Sequence, residues 1–206
     1  MTSETVGAPG TSGSWLQDER NEAAAGKILD AAAELFVERG VSATGMAEVA
    51  KAAGCSRATL YRYFENRRAL HRAYVHREAR RLGEQIAARV APIDDARARV
   101  TEAVLLAIDE VRSTPTLAAW FGLGDAGLAS ELASTSEVIE VIGTAFLADV
   151  WHSDHAETVR RARWLVRAIV SLLTVPGADA ADERTMVEQF LVPVLIAPGT
   201  ADRPTP

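Results

Sequence analysis

Residues 53–56 read Ala-Gly-Cys-Ser, a break between two helix-period patterns too short to stand alone, and no other feature restricts the fold as much. Before it, Met46, Val49, Ala50 and Ala53 recur at i, i+3, i+4 and i+7. After it, the stretch from Arg57 to Phe64 keeps Leu60 for a core and turns Arg57, Thr59, Tyr61, Arg62 and Tyr63 elsewhere. Gly54 is free to take the left-handed conformation that reverses the chain, and Ser56 stands where an N-cap is needed. Ahead of both, Ile28, Ala31, Ala32, Leu35 and Phe36 form an apolar stripe that Gly40 stops just past Arg39. Such helices, the last two joined by a tight Gly turn and the final one basic and aromatic outside, predict a helix-turn-helix. Its second helix enters the major groove of DNA.

Charge is distributed to match. The chain of 206 residues carries −6 overall, yet Lys51 to Arg81 holds nine Lys/Arg against Glu65 and Glu78. That segment is therefore +7 and the rest of the chain −13. Phosphates respond to local potential, and the acidic remainder keeps other surfaces off the duplex. With 48% hydrophobic and 24% charged residues, the composition is that of an ordinary globular chain, long enough for a small domain plus a larger one. No apolar run reaches the ~20 residues of a membrane span, and no signal segment opens the chain, so no membrane partner is expected. The single Cys forms no internal disulfide, which fits a cytoplasmic location.

The run Ala50, Ala53-Gly54-Cys55-Ser56, Thr59-Leu60-Tyr61, Tyr63-Phe64, Asn66-Arg67 and Leu70 resembles the N-terminal domain of TetR-family transcriptional regulators. The match covers roughly the first third of the ordered chain in sequence and the remainder in helix pattern alone. Arg57 and Ala58 open the recognition helix; Arg57 suits a bidentate contact with guanine O6 and N7, and Ala58 a thymine methyl. Tyr61, one turn on, faces the groove, and the resemblance places it at a base or sugar. Thr59, Arg62 and Tyr63 match positions that touch phosphates in the family, although Tyr63 has a second reading as a packing aromatic. Arg67 stands where the family usually has Lys, adding its charge to a helix N-terminus at a phosphate.

Three departures from the family pattern matter. Gly45 occupies the position of a common Thr or Ser cap, with Glu48 keeping half a capping box; Thr44 is then the candidate for a phosphate contact nearby. Arg68 replaces a frequent acidic residue. Ala47 and Ala52 leave the first helix of the motif few polar contacts, so specificity must lean on the recognition helix.

Organisation along the chain predicts an all-α fold of about nine helices and no strand. Residues 1–17, rich in Ser, Thr, Gly and Pro through Ser14, are expected to be a disordered tail, with Trp15 and Leu16 free to pack on the first helix. Residues 18–65 form the DNA-binding domain, 66–197 a ligand-binding and dimerisation domain, and 198–206 a second tail. The first helix runs from about Glu19 to Arg39, and Asn66 caps a fourth that ends before Pro92. Further helices fit Asp94 to Arg112, a short one after Thr114, Leu128 to Trp151 with an interruption near Ser134 to Ser136, His155 to Thr174, and Asp182 to Ile196. Pro193 falls inside the last and should kink it.

Several constellations are weighed and set aside. Gly122-x-Gly124-x-x-Gly127 matches the dinucleotide fingerprint, with Asp149 downstream, but that fingerprint works only between a strand and a helix. A flexible helix break is the better reading. His152 and His155 lack a third ligand and suit a cap and turn with Ser153 and Asp154, so no metal is expected. Ser153-Asp154-His155 is no triad, since triad members meet through the fold around a strained nucleophile turn. Cys55 reads as a core contact rather than a redox thiol. No cofactor is implied.

The last two-thirds should sense a ligand and hold a dimer. Val159, Trp164, Leu165, Ala168, Ile169, Leu172 and Leu173, then Met186, Val187, Phe190, Leu191 and Val194, make two helices apolar on more than one side. They are deep core or an isologous interface, and the resemblance favours a four-helix contact between two subunits centred on Trp164, Ile169, Leu172, Phe190 and Val194. Leu105, Ile108, Leu117, Trp120, Phe121, Phe146 and Trp151 are the expected lining of a pocket for a small hydrophobic effector. The expectation is a homodimeric repressor that binds a palindromic double-stranded DNA operator. An architectural DNA-binding protein without an effector, or a helical small-molecule-binding protein or enzyme, is the alternative; no convergent catalytic set is visible in the sequence.

Overall fold

The computed structural model describes residues 12–196 except 123 and 153, with side chains described from Glu19 on, and every element among them is helical. Most of the expected tails, and the side chains of Trp15 and Leu16, lie outside the described residues. The first helix, α1 (Ser12–Arg39), begins earlier than expected and takes in part of what the Gly/Ser-rich composition assigned to the tail. It is followed by α2 (Met46–Ala52), α3 (Arg57–Tyr63) and the long α4 (Arg67–Val90). Then come α5 (Ala96–Ser113), α6 (Pro115–Ala118) with a 3-10 turn Ala119–Phe121, α7 (Ala126–Thr135), α8 (Glu137–Val150) and α9 (His155–Thr174). The chain closes with α10 (Ala180–Met186), a π turn Val187–Leu191 and α11 (Val192–Leu195).

Side-chain caps explain most of these boundaries. Asn66 accepts from Ala69 N at 2.9 Å, Asp95 from Ala98 N at 2.7 Å, and Asp154 from Glu157 N at 3.2 Å, each satisfying an amide that the helix cannot. Ser136 accepts from Ile139 N at 3.2 Å, and it is this cap that divides the helix expected over 128–151. Pro115 occupies the first turn of α6, where its missing N–H costs nothing. Pro193 stands at the start of the final helical segment, where its missing N–H is tolerated, and a π turn lies just ahead of it.

One continuous apolar core runs from Ile28 to Ile196, crossing the expected boundary at residues 65 and 66. At the crossing sits a cluster of rings from three separate elements. Trp120, in the 3-10 turn after α6, stacks on Tyr74 of α4 with centroids 5.7 Å apart and planes 7° from parallel. Phe36 of α1 meets Trp120 edge-on at 5.3 Å and Tyr74 at 5.5 Å. His71 of α4 closes the group against Phe36 at 5.5 Å and Trp120 at 5.3 Å. The Tyr74 hydroxyl donates to Thr116 O at 3.2 Å, so the polar end of the ring is satisfied inside the same junction.

Three of the expected pocket residues lie in or beside this packing. Trp120 is 3% exposed, and Ile108 and Leu117 are likewise buried in the continuous core. Helical spacing marks such residues as inward-facing, but it does not distinguish a cavity wall from a filled interior. Trp120→Ala should therefore destabilise the whole chain by about 3–5 kcal/mol in a denaturant titration. A loss below about 1 kcal/mol would show a ring without packed neighbours.

The same cluster makes His71 a reporter of acid. Burial, and then the Arg67 charge beside it, lower its pKa from 6.5 to about 4, against an opposing pull from Asp125. The folded chain thus holds His71 neutral where the unfolded chain has begun to protonate. Its contribution is intact above about pH 6.5 and is lost as pH falls towards 4, by roughly 3 kcal/mol at most. His71→Leu should flatten that part of the stability-against-pH curve. An unchanged slope between pH 6.5 and pH 4 would contradict the assignment.

Candidate nucleic-acid interface

The reading head is built from backbone geometry upward. Gly40, at φ 87°, ends α1, its N–H donating to Phe36 O at 3.0 Å. Glu48 accepts from Gly45 N at 3.0 Å, which preserves the half capping box at the start of α2, and it also pairs with Arg39 at the end of α1. At the other end of α2, Gly54 has φ 65°, Gly54 N donates to Lys51 O at 3.2 Å, and Cys55 N donates to Ala50 O at 3.0 Å. These two bonds close the left-handed helix stop that lets α3 cross back over α2. Ser56 then accepts from Thr59 N at 3.0 Å, capping α3 as the sequence predicts. Cys55 is partly buried against the core.

With Leu60 wholly buried, α3 turns its opposite side outward. Arg57, Ala58, Tyr61 and Arg62 are exposed there, and Tyr61 keeps 44% of its surface. The hydroxyl of Thr59 is shared with Ser56 at 2.9 Å, within the cap. Tyr63 is half-buried: its ring lies under the Arg62 guanidinium at 5.4 Å, and its hydroxyl donates to Asn21 of α1 at 3.4 Å. Arg67 is exposed at the start of α4 and donates to Ser42 O at 2.8 Å, tying α4 to the turn after α1. Arg57, Arg62 and Arg67 are thus all open to solvent on and just after the second helix of the motif.

Thr44 is the correction. It is 2% exposed, and its hydroxyl donates to Gly40 O at 2.8 Å and Leu35 O at 3.3 Å. Its hydrogen-bonding capacity is spent on the end of α1, so it holds the turn instead of facing a phosphate. The polar residue nearest a helix start reads as a surface group in sequence, but carbonyls at and just past the end of α1 accept its hydroxyl.

Sequence reasoning also missed the contacts that tie this head to the rest. Asp125, in the loop before α7, accepts from Val41 N and Ser42 N, both at 3.0 Å, and from the Ser42 hydroxyl. Arg68 pairs with Glu131 of α7 at 2.7 Å. The departure of Arg68 from the family pattern was the only signal of either contact.

At the far end, α9 and the final helix leave an apolar face uncovered. Phe190 is 70% exposed, Trp164 49% and Val194 52%, with Ile169 and Leu172 partly buried beside them. An open groove of about 420 Å³ runs between Trp164, Ala168 and Leu172 on one side and Met186, Phe190 and Leu191 on the other. The face is held rigid from behind. Arg112 of α5 binds both oxygens of Glu183 at 2.7 Å and Leu172 O at 2.8 Å, while Arg161 donates to Leu195 O at 2.7 Å. Of the expected pocket residues, Leu105, Phe121, Phe146 and Trp151 stay partly exposed. Buried without a hydrogen-bond partner are His76 Nε2 on α4 and Thr144 Oγ1 on α8, polar atoms that periodicity does not flag.

Comparison with known proteins agrees with this architecture. Residues 28–74 match the family model for bacterial regulatory proteins, tetR family. An uncharacterized HTH-type transcriptional regulator of Mycobacterium tuberculosis, Rv1255c, is 47% identical over 189 residues, covering 92% of this chain and 94% of that protein. In fold, the chain is similar to the TetR family repressor AlkX of Dietzia sp. strain DQ12-45-1b, with TM-score 0.65, 23% identity and coverage of 82% and 93%. It is also similar to Thermus thermophilus FadR in complex with lauroyl-CoA, with TM-score 0.59, 20% identity and coverage of 88% and 98%. Among the described residues no helix is long and apolar enough to cross a membrane. The match of the reading head, together with a relative so similar along nearly its full length, establishes that the chain belongs to the TetR family of DNA-binding transcriptional regulators.

Proposed function

We propose that the chain is a homodimeric repressor that binds a palindromic operator in the cytoplasm and releases it when a small hydrophobic effector binds. Residues 18–65 carry the DNA reading, and residues 66–197 carry the pocket and the dimer. The observation that carries the reading is the outer face of α3: a capped helix, anchored by Leu60, that offers Arg57, Ala58, Tyr61 and Arg62 to solvent within a segment of net charge +7. Arg57 and Ala58, at the N-terminal end, read base edges, and Tyr61 lies in the groove. Thr59, Arg62, Tyr63 and Arg67 sit at phosphates.

The exposed face of Trp164, Ile169, Leu172, Phe190 and Val194 supports an isologous four-helix contact. Large apolar side chains this open to water cost free energy in a monomer and are covered by a two-fold partner. Leu105, Ile108, Leu117, Trp120, Phe121, Phe146 and Trp151 are the residues assigned to the effector, the first, fifth, sixth and seventh of them partly exposed. That FadR binds lauroyl-CoA and that AlkX is implicated in n-alkane degradation are properties of those proteins, and they agree with an apolar ligand here.

Arg57→Ala should weaken binding to the preferred operator by about 1–3 kcal/mol and relax preference at one base per half-site, in titrations at fixed salt. Equal losses on specific and random DNA would assign Arg57 to phosphate. Phe190→Glu should convert the dimer to monomer in sedimentation velocity and abolish high-affinity operator binding while sparing helix content. A charged variant that stays dimeric would place the interface elsewhere.

A further inference from the structure

The glycine-rich loop between the 3-10 turn and α7 matched a nucleotide fingerprint that the fold has no use for, yet it presents a side chain with an unusual set of partners. Asp125 stands at the position that would cap α7, and its carboxylate makes no cap bond there. Gly124, at φ 95°, turns the loop, and the carboxylate faces the turn between α1 and α2 instead. There it accepts from Val41 N and Ser42 N at 3.0 Å each and from the Ser42 hydroxyl. Gly40 makes room: a Cβ at that position would lie 3.2 Å from Asp125 Oδ2. Asp125 is 6% exposed, so an ionised carboxylate is withdrawn from water and its stabilisation rests on these donors.

The turn is gripped from both sides. While Ser42 N donates to Asp125, Ser42 O accepts from Arg67 at 2.8 Å, so one residue links the start of α4 to the loop of α7. Gly122 O accepts from Asp125 N at 3.1 Å, and Asp125 O accepts from Ala129 N at 3.0 Å, which fixes the acid to the first turn of α7. The Arg68–Glu131 pair spans the same gap one step away. Movement of α7 is thereby delivered to the loop that orients α2 and α3.

We propose that Asp125 is a positioning residue for operator recognition: its carboxylate latches the α1–α2 turn to the regulatory half and fixes the angle at which each recognition helix is presented. The proposal rests on the reading of the chain as a dimer on a two-fold operator. With the latch closed, the two reading heads have one separation; with it open, the α1–α2 turn is released from α7 and the angle of each α3 varies about the shared core. Affinity for a single half-site, set by α3 and the Arg67 charge within one reading head, does not depend on the latch.

The test compares wild-type chain, Asp125→Asn and Ser42→Ala on three duplexes: the palindromic operator recovered by selection with wild-type chain, the same operator with one base pair inserted between half-sites, and a single half-site. Asp125→Asn removes the charge with little change of shape. Ser42→Ala removes one exposed donor without opening the core. Wild-type chain should lose about tenfold or more on the spaced operator, whereas Asp125→Asn should lose roughly threefold or less, because its heads are no longer fixed in register. Ser42→Ala should fall between them, and half-site affinity should stay within about twofold for all three. Amide exchange at Val41 and Ser42 should quicken in Asp125→Asn with α9 protection unchanged. Wild-type spacing discrimination in both variants would overturn the latch while leaving the regulator reading intact. If Asp125→Asn does not fold, wild-type discrimination in Ser42→Ala alone overturns it. A wild-type chain that selects no DNA at all would overturn the regulator reading, and the latch with it.

Discussion

The stack of Trp120 on Tyr74, closed by Phe36 and His71, is the contact on which the arrangement of the chain depends. Each ring comes from a segment that cannot bury it alone: Phe36 from α1, Tyr74 and His71 from α4, Trp120 from a 3-10 turn of three residues. Rings of this size dominate core energetics, and their edge-to-face geometry fixes direction as well as distance. The reading head therefore does not hang from α4 as a separate bead. It shares its core with the regulatory half, and hydrogen bonds from Asp125 and Arg67 extend the junction to the surface.

Such a junction suits a regulator better than a flexible linker would. A ligand shifts DNA affinity only by binding one arrangement of the two halves better than another, and two packed arrangements are easier to hold apart than a continuum. Charge is unevenly distributed along the chain. The segment from Lys51 to Arg81 is basic and carries α3, acidic residues predominate both before and after it, and α9 and the final turns leave Trp164, Phe190 and Val194 exposed for apolar contact.

Much of this was legible in the sequence, and for stated reasons. Gly54, Ser56, Asn66, Pro115 and Pro193 act through local backbone chemistry, so their effects could be read without knowing the fold. Leu60 and the exposed residues of α3 followed from helical period alone. What escaped were contacts between residues far apart in sequence. Helical period marks Trp120 as inward-facing, but it cannot say that the ring stacks on Tyr74. Thr44 looked like a surface hydroxyl because nothing local announces that the carbonyls of Leu35 and Gly40 will claim it. Asp125 was hidden in a motif borrowed from another fold, and only tertiary structure brings it to Val41 and Ser42, 84 and 83 positions away.

The central claim is that two copies of one reading head, held at a fixed separation, recognise DNA. Selection of bound duplexes from a random pool with purified full-length chain tests it most directly. Two inverted half-sites with centres about 34–36 Å apart or somewhat more should be enriched, at one dominant spacing. Enrichment of a lone asymmetric site, or none above the input pool, would contradict it.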